Sequence, residues 1–289
     1  MPVRVKKSEE NKQLQILETV TSVYSQIASQ WMTRTRDSVL RSRGYVSDLN
    51  EVFLTVFSSY LKEVERLAKQ YRLKRDGKIT FLAHNGKQVA VFLSANTGFY
   101  GEIVKKTFEL FIKDVHTNDY EVTIVGKQGL SYLLSDSPSQ PHTFFEISDD
   151  QVDTKQVLAL VQHLVQYEKI HIYYGKFQNF LRQDPVVFTL SANPYETLSD
   201  KQRTRSYLFE PDIPQILMFF EKQIFTSVFE QVVRESQLAK FASRIMVMDQ
   251  ANQNIAARLK VIDSLELKAG HRAANRKQLN QLASMALWF

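Results

Sequence analysis

The stretch most suggestive of chemistry is Asn96-Thr97-Gly98-Phe99-Tyr100-Gly101, a glycine turn between a strand-like run and a helix-like one. Such a turn can aim backbone N–H groups at a phosphate. Its two glycines do not make a full G-x-G-x-x-G, and no clear ribose-binding acid follows, so the fingerprint of a cofactor loop is incomplete. The histidines come next: His84, His116, His142, His163, His171 and His271. No two have the H-x-x-x-H or H-E-x-x-H spacing of a metal site, so they read as surface or packed residues. Neither a G-x-S-x-G nor a P-loop occurs. The paired acids Asp149-Asp150 read as a helix-start signal. With no cysteine in the chain, disulfides, thiolate metal sites and thiol nucleophiles are excluded. No catalytic residue, cofactor or metal is expected.

The elements that frame these residues point to an interaction protein. Hydrophobic residues make up 44% of the 289 and charged residues 24%, the balance of a folded chain rather than a disordered one. Only 9 glycines and 7 prolines break it up, which favours long uninterrupted helices. The net charge of +6 comes with no basic-aromatic module, so nucleic acid is not an expected partner. No stretch reaches the roughly 20 apolar residues of a bilayer span. The charged start, MPVRVKKSEENKQ, lacks the apolar core of a signal peptide.

From Ser8 to Tyr71 the pattern is helical. Ile16, Val20, Val23, Ile27 and Trp31 form one stripe, and Leu49, Val52, Val56, Tyr60, Val64 and Leu67 a second, with Gly44 between them as a bend or interruption. Lys74-Arg75-Asp76-Gly77 closes the segment. The period then changes. Ile79–Leu82 and Val89–Leu93 read as strands joined by an Asn85-Gly86 hairpin turn. A helix over Phe99–Lys113 follows, then a strand Tyr120–Val125, a short helix Gly129–Leu134, a strand His142–Ile147, a helix Val152–Gln166, and strands Ile170–Tyr174 and Val186–Leu190. Alternating strands and helices predict a small, mostly parallel α/β sheet.

Glu210-Pro211-Asp212 opens a last helix whose stripe runs through Ile213, Leu217, Phe220, Ile224, Val228, Leu238, Phe241, Ile245, Met248, Ile255, Leu259 and Ile262. Its roughly 75 residues would reach about 110 Å at about 1.5 Å per residue. A helix of that length cannot bury its stripe in a domain this small. It must pair with the other long helix as an antiparallel coiled coil, and any part beyond its partner needs another protein around it. The predicted division is 1–77 for the N-terminal helical segment, 78–206 for the Rossmann-like α/β domain and 207–289 for the C-terminal helix.

Four stretches narrow this architecture. ESQLAKFASRIMVMDQANQN (235–254) resembles a run E-S-x-x-S-E-x-A-A-R-M-x-A-M-x-x-A-x-x-N, keeping Glu235, Ser236, Ala242, Arg244, Met248, Ala251 and Asn254 and departing at Ala239-Lys240. Tyr207-Leu208-Phe209-Glu210-Pro211 resembles an F-E-P helix entry. Leu93 to Ile103 stands where S-D-R-G-L-C-G is usual, keeping Ser94, Gly98 and Gly101, and Val125–Gly129 is similar to V-G-x-K-G. The family with these motifs in this order is the gamma subunit of F-type ATP synthases, and the resemblance covers nearly the whole chain.

The resemblance implies a non-catalytic rotor shaft. It would turn inside a hexameric ring of alpha- and beta-type ATPase subunits, with its α/β foot against an epsilon-type subunit and the membrane c-ring. The expected location is peripheral, at the cytoplasmic face of the cell membrane. The implied ring contacts are His271, Arg272, Arg276, Gln278, Leu282, Met285, Trp288 and Phe289. The family has an R-Q pair and then I-T-x-E-L in this region, and Gln278 stands in place of its glutamate. The basic run Lys268, His271, Arg272, Arg276 and Lys277 would suit an acidic partner, and the apolar tip an apolar sleeve. A gamma-like shaft of a specialised motor and a coiled-coil scaffold outside any motor remain the alternatives.

Overall fold

The computed structural model describes residues 2–71, 85–150, 152–191 and 213–286. The elements are α1 (Pro2–Tyr71), β1 (Gln88–Leu93), α2 (Ile103–Thr117), β2 (Glu121–Val125), α3 (Lys127–Asp136), β3 (His142–Phe145), α4 (Thr154–Leu164), β4 (Lys169–Phe177), β5 (Gln183–Ser191) and α5 (Ile213–Ala286). Two long terminal helices thus flank a central α/β sheet, as expected. The chain forms two compact units, Met1–Ser29 with Arg244–Phe289, and Gln30–Ser243.

In the larger unit the sheet order is β3-β2-β1-β4-β5. The first four strands are parallel and β5 returns antiparallel beside β4. Successive side chains of β1 go to opposite faces, because strands alternate. Val89, Val91 and Leu93 join Ile170, Ile172, the α4 residues Val157, Leu160, Val161 and Leu164, and Phe229, Val232 and Val233 of α5 in one core. Ala90 and Phe92 join Ile124, Tyr173, Leu133 of α3 and the α2 residues Phe108 and Phe111 in the other. The sheet is covered on both faces, which is why its central strands read as unbroken apolar runs.

Some expectations are corrected. Both edges of β1 are taken by parallel strands, so it offers no edge to an antiparallel hairpin partner at Asn85-Gly86. The strand expected at 79–82, the Lys74–Gly77 stop and the Glu210-Pro211-Asp212 entry lie outside the described residues. Gly44 does not interrupt α1; the helix runs through it, with nothing within 4 Å of where a Cβ would stand. Helix α2 begins at Ile103 rather than Phe99, because Phe99 and Gly101 take positive φ, 68° and 62°, in the preceding turn. The acid that starts α4 is Asp153, whose Oδ1 accepts from Lys155 N, not the Asp149-Asp150 pair.

Within the smaller unit the two helices run antiparallel: Glu10 pairs with Arg258, and Thr21 with Asn252. The seam is not the stripe expected from the sequence. Ile16, Val20, Val23 and Ile27 are 42–63% exposed. The more sheltered residues are Leu14, Glu18, Thr21, Ser25 and Ala28, also at three-four spacing. Small side chains let two helices approach closely, and the Thr21–Asn252 and Glu10–Arg258 bonds tie polar groups across the seam. On α5 the expected stripe does hold: Met248 and Ile262 are buried.

His163, in the last turn of α4, and His171, on β4, are packed residues. His171 lies stacked at 4.8 Å on Tyr120 and bonds Thr189 and Gln88. Burial lowers the pKa of both rings below the usual imidazole range, opposed by Glu121 for His163.

Gly126 links β2 to α3 at φ +99°, and a Cβ there would stand 2.8 Å from the carbonyl oxygen of Ala95. Gly126→Ala should therefore lower stability by about 1–3 kcal/mol, from backbone strain and the clash. Urea unfolding checks this; an unchanged midpoint would show that the turn relaxes freely.

Candidate functional site

The middle of α5, from Glu235 to Ser243, is buried at every residue. A helix enclosed on all sides has no solvated face, so each polar side chain in it must find a partner or carry a desolvation cost. Glu235 Oε1 accepts from Arg43 Nε and Nη2 of α1 at 2.8 and 2.5 Å, and its Oε2 accepts from the Tyr174 hydroxyl at 3.3 Å. Burial, and then the Glu235 charge, push the Tyr174 phenol well above its ordinary pKa. Gln237 Nε2 donates to the carbonyls of Ser148 and Asp149. Ser243 Oγ donates to the Tyr100 carbonyl at 2.7 Å. Lys240 Nζ donates to the Ser94 carbonyl at 2.8 Å and stands 3.5 Å from Asp149 Oδ1, with both side chains under 10% exposed.

Asp149 also settles the role of the glycine turn. Its Oδ2 accepts from Asn96 N, Thr97 N and Thr97 Oγ1 at 2.8–3.0 Å. The N–H groups that a phosphate loop would give its ligand are committed to the chain's own carboxylate. Asn96 completes the closure, donating from Nδ2 to the Ile147 carbonyl and accepting from Lys127 N. Gly98 and Gly101 shape a turn that docks on α5. Sequence reasoning missed Asp149, which looked like a helix start, and Lys240, which looked only like a departure from a motif. The available signal was a set of polar residues at 236, 237, 240 and 243, helically spaced. Such a pattern ordinarily marks a solvated face.

Arg244 and Met248, kept from the motif, are both buried, at 5% and 4% exposure, while Asn254 is exposed. Ile262 is the last buried residue among those described; every described side chain from 263 to 283 is exposed. His271, Arg272, Arg276, Gln278 and Leu282 all lie on this stretch. Leu267, Leu279 and Leu282 are 64–66% exposed. Between 267 and 283 there are four Lys and Arg residues, Lys268, Arg272, Arg276 and Lys277, and no acid. Arg276 and Lys277 share one exposed face of the helix with Ala273, Asn280 and Gln281. The side chain of Met285, together with Trp288, Phe289 and Glu210, lies outside the described residues. Among the described residues no three His, Asp or Glu side chains gather as metal ligands, and no helix is long and apolar enough to cross a membrane.

A family model described as ATP synthase matches residues 9–271. The chain belongs to the ATP synthase gamma-chain family. The ATP synthase gamma chain of Ruthia magnifica is 21% identical over 278 residues, covering 92% of each chain. That of Staphylococcus carnosus is 24% identical, covering 86% of this chain and 96% of its own. Among solved structures, a chain from the central stalk and c-ring of the Tetrahymena thermophila mitochondrial ATP synthase superposes with a TM-score of 0.54 at 15% identity, covering 80% of this chain and 99% of its own. A chain from the rotor of the Euglena gracilis enzyme gives 0.50 at 14% identity, covering 83% and 98%. These likenesses support the gamma-chain fold of long terminal helices about a mixed sheet. A gamma chain is a subunit of the synthase complex.

Within this gamma-type fold, the Lys240–Asp149 contact ties α5 to the glycine turn. Lys240→Met removes the donor to Ser94 and leaves Asp149 buried without its cation, so it should cost about 3–5 kcal/mol. Asp149→Asn, which keeps the shape, should cost less. Chemical denaturation of both variants checks the order; a Lys240→Met protein as stable as the wild type would remove the contact from the account.

Proposed function

We propose that the chain is the central rotor shaft of a rotary F-type ATPase, coupling rotation to nucleotide turnover without a catalytic site of its own. The observation that carries this is α5 from 263 to 283, a helix exposed at every described residue yet bearing leucines and, from 267 on, four Lys and Arg residues with no acid. Such a helix is stabilised by a surrounding sleeve of other subunits. The ring residues would be His271, Arg272, Arg276, Gln278 and Leu282, then Met285, Trp288 and Phe289 at the tip, facing alpha- and beta-type subunits. The α/β part, 78–206, would be the foot, set between helical segments 1–77 and 207–289 and meeting an epsilon-type subunit and a membrane c-ring. That would place the protein peripherally at the cytoplasmic face of the cell membrane.

The physical mechanism is differential contact. A subunit shifts its neighbours' conformational equilibrium only by touching one state better than another. An asymmetric helix pair offers each ring subunit a different surface as it turns. The departures at His271-Arg272 and Gln278 from the family's R-Q and I-T-x-E-L favour a specialised motor as the second reading.

Native pull-down with mass spectrometry and an ATPase assay tests the role. Alpha- and beta-like subunits with hydrolysis are expected in the eluate, and c-ring subunits beside them would point to a synthase. Deleting Met285–Phe289 should lower ion transport per ATP hydrolysed several-fold while the sheet unit melts as before. A clean monomer or homodimer without ATPase partners would count against the shaft and favour a scaffold.

A further inference from the structure

An open groove of about 480 Å³ lies within the larger unit, where the ends of β4 and β5 meet α1 and α5. Its apolar wall includes Phe177 and Phe188, and its polar side Arg43, Tyr174, Lys176 and Glu235. The charges here do not balance. Glu235 is committed, one oxygen to Arg43 and the other to Tyr174. Asp184, opposite Lys176 in the β4–β5 register, gives both carboxylate oxygens to Arg182 at 3.0 Å. Lys176, half-buried, makes no ion pair with any described residue. Arg43 and Arg182 are each matched by one of these acids, which leaves Lys176 as the cation of the groove without an acidic partner among the described residues.

The hairpin tip beside the groove adds a second feature. Phe180 is 43% and Leu181 74% exposed. The turn that presents them is firmly built: Asn179 Oδ1 accepts from Leu181 N and Arg182 N, and Gln183 Nε2 donates to the carbonyls of Asn179 and Phe180. A fixed apolar knob loses little conformational entropy on binding. A small anion filling the groove would leave that knob in water; a protein segment would cover both.

We propose that the groove and hairpin tip dock an acidic, amphipathic segment of another subunit of the complex, its carboxylates toward Lys176 and Arg43 and its apolar side chains against Phe177, Phe188 and the Phe180–Leu181 knob. This rests on the rotor reading, which supplies neighbouring subunits. Charge complementarity selects the partner, and the apolar wall and knob supply contact area.

The test uses the full chain in its purified complex, with a photo-crosslinking amino acid at Gln178 on the groove rim. A cross-link to an acidic stretch of another subunit is expected. It should fall at least several-fold in Lys176→Glu and in Leu181→Asp, with the melting temperature of the isolated chain unchanged. A cross-link that survives both substitutions overturns the proposal, as does one only to a second copy of this chain. Loss of the cross-link in millimolar inorganic phosphate, but not in chloride of equal ionic strength, makes the groove a small-anion site and also overturns it. If partner subunits co-purify but Gln178 captures none of them, the groove proposal alone fails. If the wild-type chain recovers no partner subunits, the rotor reading fails with it.

Discussion

The structure depends on the enclosure of α5 between Glu235 and Ser243. A helix segment buried on every side is normally apolar, yet this one carries Glu, Ser, Gln and Lys. It is tolerable because each of Glu235, Gln237, Lys240 and Ser243 meets a specific partner: Arg43 and Tyr174, the carbonyls of Ser148 and Asp149, the Ser94 carbonyl and the Tyr100 carbonyl. A buried polar group without its partner is costly, so a slip of one residue in the register of α5 would lose several of these bonds together. The polar run thus fixes rotation and register where apolar packing alone would be permissive. A rotor shaft needs this property, since torque must pass through junctions that do not slide.

The same chemistry explains the glycine turn. Its backbone N–H groups form an anion-binding arrangement, and Asp149 occupies it. The carboxylate then stands close to the Lys240 ammonium, so turn, sheet and helix meet at one pair of charges. What resembles an unfinished cofactor loop in sequence is a completed structural joint.

The architecture was legible because periodicity reports it directly. Central strands such as Val89–Leu93 are covered on both faces and read as apolar runs, and the sparse breakers left α5 uninterrupted to its last described turn. Two things were hidden. On α1 the apolar stripe Ile16, Val20, Val23 and Ile27 points to the wrong face, because apolar content cannot say which face meets the partner helix when the seam is small and polar, as at Thr21, Ser25 and Ala28. At the junction, the polar positions of α5 looked like a solvated face because burial by a distant sheet leaves no local mark. The run 235–254 was recognisable by resemblance, but the reason for its polar residues required their partners.

The central claim is rotation. The chain has no cysteine, so a single one introduced at Ser135, exposed on α3, would take one label. A bead or rod attached there, on a complex immobilised through its ring subunits, should turn in one direction when ATP is added and stop when it is removed. Steady ATP hydrolysis by the same immobilised complexes, with the label fluctuating but never advancing, would contradict the account.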